Sequence, residues 1–152
     1  MKKFALDTNL YIRAYRSGEG RQQLDDFLDE HTPRMFIHAV VLQELMLGAR
    51  NHDHAREIHR TIGEPLERVG RVVTPSQKAW RRSAEIVGTM VERGAISRGG
   101  YTPSFLNDVL IAASCREVGV TLITANTGDF ERICEVEPFG FTGPWPAGAG
   151  AS

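Results

Sequence analysis

The sequence predicts an α/β fold in which helices cover both faces of a short parallel sheet. Four short segments are apolar along most of their length, and stretches with helical periodicity separate them. These segments are residues 4–6, 35–37, 71–73 and 120–124, and residues 133–136 are a candidate fifth strand. Strands that are apolar throughout are typical of parallel sheets, because such sheets are buried on both faces. We therefore predict a parallel sheet of four to five strands.

Helical patterns account for the segments between the strands. The periodicity predicts helices over residues 9–15, 21–30, 40–49, 51–66 (with a break at 63–65), 74–92 and 103–119. Thr8 or Asn9 is available to cap the first helix. Thr74 followed by Pro75 is a typical helix start. Residues 93–102 contain three glycines and predict a loop.

One domain is expected, because 152 residues suit a single hydrophobic core. We place this domain at residues 1–138. Residues 139–152 are rich in glycine and proline and predict a tail, disordered after Trp145.

Composition excludes several classes of protein. A formal net charge of -1 gives no global attraction to nucleic acid, so any such binding depends on local basic patches. Cys115 and Cys134 have no metal-ligand spacing and do not indicate a disulfide scaffold. No apolar run of about 18 residues predicts a membrane span. The two N-terminal lysines precede no long apolar run, so no signal peptide is predicted. These observations favour a cytoplasmic protein.

Asp7 directly follows the first apolar strand. Ligands of open parallel sheets bind beyond the carboxyl ends of the strands, so Asp7 stands where chemistry is expected. An aspartate at this position is also a common helix cap. The local sequence leaves both roles open.

Glu44 and Asp108 are predicted on apolar helix faces. The neighbours of Glu44 at three and four residues are apolar or small, and those of Asp108 include Phe105 and Ile111. A lone buried carboxylate costs several kcal/mol, roughly, unless it is paired or bound to a metal. For Glu44 the alternative is a salt bridge to a buried arginine. For Asp108 it is stabilisation of the helix start by the helix dipole.

Two further polar side chains, Asn126 and Asp129, follow the predicted strand at residues 120–124. Turn chemistry alone accounts for such residues. Together with Asp7, Glu44 and Asp108, however, they predict a carboxylate cluster at one rim of the sheet. Clustered carboxylates stay ionised at neutral pH only when a cation lies among them. Oxygen ligands without cysteine or histidine favour Mg²⁺ or Mn²⁺.

Four stretches in this order resemble the PIN-domain family, and most closely its VapC-type toxins. They are ALDTNLYI (5–12), LQELMLG (42–48), NDVLIAAS (107–114) and TLITANTGDF (121–130). The resemblance extends to about residue 138. It implies a PIN-like α/β/α sandwich and a Mg²⁺- or Mn²⁺-dependent endoribonuclease that acts as the toxin of a toxin–antitoxin module. It also implies an RNA substrate, a cognate antitoxin and a homodimer.

The resemblance assigns roles residue by residue. Asp7, Glu44 and Asp108 match three acids of the family site, and the fourth acidic position is the amide Asn126. Asp129 is the candidate that supplies the missing charge. We expect Asp7 and Asp108 to hold one Mg²⁺, and a second ion to arrive with the RNA phosphate. Thr8, Asn9 and Thr124 match polar positions that steady the acids or the metal-bound waters.

The hypothesised reaction is in-line attack of a metal-activated water on an RNA phosphodiester, which leaves a 3′-hydroxyl and a 5′-phosphate. Glu44 or Asp129 orients or deprotonates that water. The alternative is a catalytically degenerate PIN-fold module that binds RNA or protein, which Asn126 favours and three retained acids disfavour.

An acidic centre that cleaves RNA needs a basic rim. The candidates for this rim are Arg13, Arg16, Arg50, Arg81, Arg82, Arg93 and Arg98, with Tyr101 as an aromatic that stacks on a base. Solvated surface arginines are the alternative for each of them. His52, His54 and His59 fit no standard metal spacing, and their surroundings predict an exposed helix instead.

Overall fold

The computed structural model describes residues 1–146 and contains one parallel sheet of five strands. The strands are β1 (Lys3–Leu6), β2 (Met35–His38), β3 (Val72–Val73), β4 (Val120–Ile123) and β5 (Phe141–Thr142). Their spatial order is β3-β2-β1-β4-β5, and all neighbours are parallel. The prediction of a parallel sheet flanked by helices is confirmed.

Eight α-helices connect the strands within the described residues. They are α1 (Thr8–Arg16), α2 (Gly18–His31), α3 (Ala39–Leu47), α4 (His52–Ile58), α5 (Glu64–Arg68), α6 (Gln77–Glu92), α7 (Pro103–Val118) and α8 (Thr127–Cys134). A π-helical turn, His59–Gly63, joins α4 to α5, so the predicted break at residues 63–65 is instead a continuous helical path. A short 3-10 turn, Thr32–Arg34, leads into β2.

The predicted fifth strand at residues 133–136 is wrong. Phe130 and Ile133 lie three residues apart and are fully buried on one face of α8, which continues to Cys134. Short apolar runs such as this one do not distinguish a strand from a buried helix end. The fifth strand lies at Phe141–Thr142, where Thr124 N donates to Thr142 O at 3.0 Å.

The sheet edge therefore includes residues from the predicted tail. The sequence also predicts disorder after Trp145. Residues 147–152 of that segment lie outside the described residues. Within the described part of the chain, no helix is long and apolar enough to cross a membrane.

The central strands β1 and β4 form the middle of the core. Phe4, Ala5 and Leu6 are at most 1% exposed. Helix α7 packs close to the sheet and is buried from Val109 to Cys115. Because β1 and β4 pair in parallel up to Leu6 and Ile123, the next residue of each strand reaches the same edge.

Candidate active site

Asp7 and Thr124 meet where β1 and β4 end. Asp7 N donates to Ile123 O at 2.9 Å, and Thr124 Oγ1 donates to Asp7 Oδ2 at 2.7 Å. The other oxygen, Asp7 Oδ1, accepts from Thr8 N at 2.8 Å and so caps α1. The expectation that Thr8 or Asn9 caps this helix is wrong. Asp7 is thus the helix cap, which it forms with one oxygen, and its other oxygen lies at the carboxyl edge of the sheet, where the sequence also predicts a site.

Asn9 links α1 to the end of β4. Its Nδ2 donates to Asp7 Oδ2 at 3.2 Å, and its Oδ1 accepts from Ala125 N at 3.1 Å. Thr124, which is fully buried, also accepts from Asn126 N at 3.0 Å. The predicted supporting residues Asn9 and Thr124 thus both contact Asp7.

Glu44 projects from α3 and is half-buried. Thr8 Oγ1 donates to Glu44 Oε1 at 3.3 Å, which connects this acid to the start of α1. Its helix face is less buried than the apolar pattern predicts, because Leu47 is 77% exposed. Among residues 1–146, Glu44 has no salt-bridge partner, so the buried arginine of the alternative interpretation is not present. Burial, followed by the negative charge of Asp7, raises the pKa of Glu44.

Asp108 lies in the second turn of α7 and is 8% exposed. Asn126 Nδ2 donates to Asp108 Oδ2 at 3.3 Å and to Asp129 Oδ2 at 3.1 Å. The amide therefore bridges two carboxylates that would otherwise repel each other. Asn126 occupies the expected fourth position of the cluster, and Asp129 is its neighbour.

The electrostatics show that the four acids share one site. Burial, followed by the charges of Asp7, Asp129 and Glu44 in that order, raises the pKa of Asp108 to about 8. Burial also raises the pKa of Asp7, against three hydrogen bonds that lower it. A cation among these carboxylates would favour their ionised forms.

The donor set suits a hard divalent metal ion. In the part of the chain that the structure describes, no three His, Cys, Asp or Glu side chains are arranged to hold a metal. Mg²⁺, however, is usually held by one or two protein carboxylates, with water and substrate phosphate completing its shell. Asp7 and Asp108 are two buried acids without a cationic partner among these residues, and they fit that mode.

Sequence reasoning missed Arg132. Its Nη1 lies 3.5 Å from Asp129 Oδ1, and its Nη2 donates to Ala95 O at 2.8 Å. Its guanidinium carbon also lies 5.7 Å from the centroid of the Phe105 ring. The spacing of three residues between Asp129 and Arg132 on a helix is the signal that predicts this pair.

His38 was also missed. It ends β2 at the same edge of the sheet, is fully buried, and accepts from Val40 N through Nδ1 to cap α3. Burial lowers the pKa of His38 to about 4, so the ring is neutral. Its Nε2 has no hydrogen-bond partner among the described residues. The position of this histidine, between an apolar strand and an apolar helix, is the sequence signal that predicts its burial at the edge of the sheet.

The predicted basic rim divides into two groups. Arg13, Arg16, Arg50, Arg93 and Arg98 are exposed. Arg82 instead pairs with the buried Glu137, which also contacts Arg116 in the last turn of α7 at 2.6 Å. Since Asp108 lies in the second turn of α7, Arg82 is at the opposite end of that helix and does not face the acids. Arg81 pairs with Glu85 at 3.7 Å.

The histidine segment forms the exposed polar helix that the sequence predicts. His59 Nε2 lies 2.9 Å from Glu67, and His54 Nδ1 accepts from Arg50 N at 3.1 Å.

A cavity of about 700 Å³ between α1, α2 and the α4–α5 segment contains none of the predicted site acids.

Comparison with known proteins identifies one family. A sequence profile described as PIN domain matches residues 4–136. No curated protein sequence matches the chain.

Solved structures share the fold at low identity. DNA-bound VapBC from Salmonella typhimurium has a TM-score of 0.66 and 21% identity, over 94% of this chain and 98% of that chain. FitAcB from Neisseria gonorrhoeae has a TM-score of 0.66 and 20% identity, over 93% of this chain and 98% of that chain. A toxin–antitoxin complex from Klebsiella pneumoniae has a TM-score of 0.56 and 22% identity, over 94% of this chain and 98% of that chain.

Proposed function

Because the chain belongs to the PIN domain family, we propose that it is a metal-dependent endoribonuclease, active as a single nuclease domain. One observation carries this proposal: Asp7, Glu44, Asp108 and Asp129 lie together at the carboxyl edge of the sheet, where burial first, and then the charges of the other three acids, raise the pKa of Asp108 to about 8. A purely structural cluster would place cations beside buried acids. Here three of the four acids lack a salt-bridge partner in residues 1–146, and only Asp129 has one, Arg132.

Asp7 and Asp108 would hold the divalent metal, Mg²⁺ or Mn²⁺. When bound, such an ion lowers the pKa of water and neutralises charge on a phosphoryl oxygen. Thr124 and Asn9 keep Asp7 Oδ2 oriented through hydrogen bonds at 2.7 and 3.2 Å. Their donation stabilises the ionised form of Asp7, which is the form that binds a metal.

Glu44 is the proposed proton acceptor. It is half-buried, its pKa is raised, and Thr8 Oγ1 holds one of its oxygens. A carboxylate with a raised pKa accepts a proton from water more readily at neutral pH. The water oxygen attacks phosphorus, its proton passes to Glu44, and the bond from phosphorus to the 3′-oxygen breaks. The 3′-oxygen takes a proton from solvent, so the products are a 3′-hydroxyl and a 5′-phosphate.

The test is cleavage of single-stranded RNA by the purified protein. We expect cleavage with Mg²⁺, none with EDTA, and none for Asp7→Asn or Asp108→Asn with unchanged circular dichroism. Glu131→Gln is the matched control, because Glu131 is an exposed acid on α8 next to the cluster. Cleavage by Asp108→Asn at the wild-type rate contradicts the assignment.

A degenerate binding module is the second candidate, and the amide at Asn126 favours it. That amide gives the site one fewer carboxylate at the position that bridges Asp108 and Asp129. Tight RNA binding without Mg²⁺-dependent cleavage under any condition supports this candidate over the enzyme.

We extend the proposal to partners and cellular role. A similar solved structure is a toxin–antitoxin complex, which supports a toxin role and a cognate antitoxin for this chain. The homodimer is proposed from the family resemblance alone. Cys115 and Cys134 are free, which suits the reducing cytoplasm. Expression should arrest growth, and co-expression of a small protein encoded next to the gene should relieve the arrest and co-purify. Light scattering of the isolated protein tests the dimer.

A further inference from the structure

We propose that a cavity beside the acidic cluster is a subsite for one unpaired base of the RNA strand. This inference rests on the proposed function. The cavity has a volume of about 410 Å³ and lies between the loop at residues 94–102 and α8. Ligand pockets in proteins start at about 300 Å³, so the space is large enough for a base.

Asp129 places this cavity next to the reacting centre. Asp129 lines the cavity, and its Oδ2 accepts from Asn126 Nδ2 at 3.1 Å. The same Nδ2 contacts Asp108 Oδ2 at 3.3 Å. Only one side chain therefore separates the cavity wall from a proposed metal ligand. A nucleotide beside the scissile phosphate would reach the cavity.

The loop that forms the opposite wall is held in one shape. Gly94 and Gly99 have φ values of +74° and +72°, which favour glycine. The N–H groups of Gly94 and Ala95 donate to Val91 O and Met90 O. Arg132 Nη2 then ties Ala95 O to α8 at 2.8 Å. A preformed wall lowers the entropic cost of binding a ligand.

The charges in the cavity favour a base over a phosphate. Arg132 is the cation in the lining, and it is already engaged by Asp129, by Ala95 O and by the Phe105 ring. The carboxylate of Asp129 repels an anion. Tyr101 offers an aromatic ring that is 36% exposed. Bases stack on such rings.

The acceptor in the wall also indicates which bases fit. Asp129 carries a carboxylate, which accepts from an exocyclic amino group such as that of cytosine. Uracil has no amino group and offers only its single ring N3–H as a donor. We therefore expect the subsite to prefer cytosine, adenine or guanine to uracil at one position next to the cut.

The experiment sequences the ends produced from a randomised single-stranded RNA. Tyr101→Ala should lose the preference at one flanking position and cut the preferred sequence about tenfold more slowly, since a stacked base contributes on this order. Tyr101→Phe should retain both. Trp80→Ala is the matched control, because Trp80 is 59% exposed in the first turn of α6, about 20 Å along the helix from the loop.

A binding measurement separates this inference from the proposed function. Fluorescence anisotropy compares cytosine-rich and uracil-rich RNA octamers on Asp108→Asn protein, with and without Tyr101→Ala. A preference for cytosine that disappears with Tyr101→Ala supports the subsite even if no variant cleaves RNA. Cleavage by the wild type, combined with no effect of Tyr101→Ala on preference or binding, overturns the subsite and leaves the nuclease intact. Absence of both cleavage and RNA binding overturns both.

Discussion

Thr124 donates its hydroxyl hydrogen to Asp7 Oδ2 at 2.7 Å, across the junction where β1 and β4 end. Thr124 is fully buried and Asp7 is 5% exposed, so water does not replace this bond readily. The same hydroxyl oxygen accepts from Asn126 N at 3.0 Å. One threonine therefore connects the first and fourth acidic positions of the predicted cluster.

Thr124→Val should lower the free energy of unfolding by about 1–3 kcal/mol. The substitution keeps the shape of the side chain but leaves Asn126 N and one lone pair of Asp7 without their partner in a buried place. Urea denaturation measures the change. Thr121→Val is the control, because Thr121 lies on β4, which ends one residue before Thr124, and is only half-buried. Equal stability losses for the two variants would show that the Thr124 hydroxyl has no special role.

In the metal-free protein, the titration of Asp108 should make the fold less stable as pH rises from about 4 to 8. Buried His38 contributes in the opposite direction between about pH 4 and 6.5, because its pKa is lowered from 6.5 to about 4. The pKa of Asp108 is raised from 3.8 to about 8, so the folded state holds a proton that the unfolded state has released in this range. This stabilisation is complete below the pKa that Asp108 has in the unfolded state, and it is lost as pH rises through the pKa that Asp108 has in the folded state. The free energy of unfolding then falls by up to about 1.4 kcal/mol per pH unit. Denaturation in EDTA at several pH values measures it.

Asp108→Asn should remove the Asp108 contribution to the pH dependence, because the amide does not titrate, and should leave the contribution of His38. We expect the variant to exceed the wild type in stability at pH 8 and not at pH 4. Glu131→Gln should leave the wild-type slope unchanged. An unchanged slope in Asp108→Asn would contradict the role of Asp108 as the titrating group.

Sequence periodicity predicted the parallel sheet because each central strand is a separate apolar segment with a long helical connection. It failed at residues 133–136, since three or four apolar residues satisfy a helix end as well as a strand. The actual fifth strand, Phe141–Thr142, has two residues and is bounded by glycines, which gives no periodic signal.

The acids of the site were predictable for a different reason. Asp7, Glu44 and Asp108 interrupt apolar segments, and an acid within an apolar segment can be recognised from the amino-acid sequence alone. The contact between Arg132 and the 94–102 loop was not predictable, because an arginine on an exposed helix face is ordinary. Its link to Ala95 spans 37 residues and depends on how the loop folds back on α8.

Mg²⁺ should raise the melting temperature of the wild type, and more at pH 8 than at pH 6. The ion and protons compete for Asp7 and Asp108, whose pKa values are both raised. Binding to the folded state alone stabilises it according to ligand concentration. Differential scanning fluorimetry against Mg²⁺, with KCl at matched ionic strength, measures the shift. If Asp7→Asn shows the same shift as the wild type, the ion does not bind at this site.

Asn126→Asp should destabilise the metal-free protein and strengthen metal binding. Asn126 Nδ2 now donates to Asp108 Oδ2 and Asp129 Oδ2 at 3.3 and 3.1 Å. A carboxylate there replaces two favourable contacts by repulsion, which a cation relieves. Isothermal titration with Mn²⁺ gives the affinity and the number of ions. A stoichiometry that rises from one to two would identify the amide as the group that limits the site to one metal, whereas an unchanged affinity contradicts the prediction.

Glu137→Gln should destabilise the fold by about 1–3 kcal/mol without changing RNA cleavage by the folded protein. Glu137 is 5% exposed and pairs with Arg82 on α6 and with Arg116 on α7, so it holds these helices together. The substitution removes charge-assisted hydrogen bonds from a buried carboxylate, but Arg82 and Arg116 are 39% and 50% exposed, so water solvates them and limits the loss. Arg82 was a predicted RNA-binding residue, and its pairing predicts a structural role instead. Urea denaturation and cleavage below the melting temperature separate the two roles, with the exposed Glu135→Gln as control. A cleavage defect in Arg82→Gln at full stability would restore the RNA-binding role.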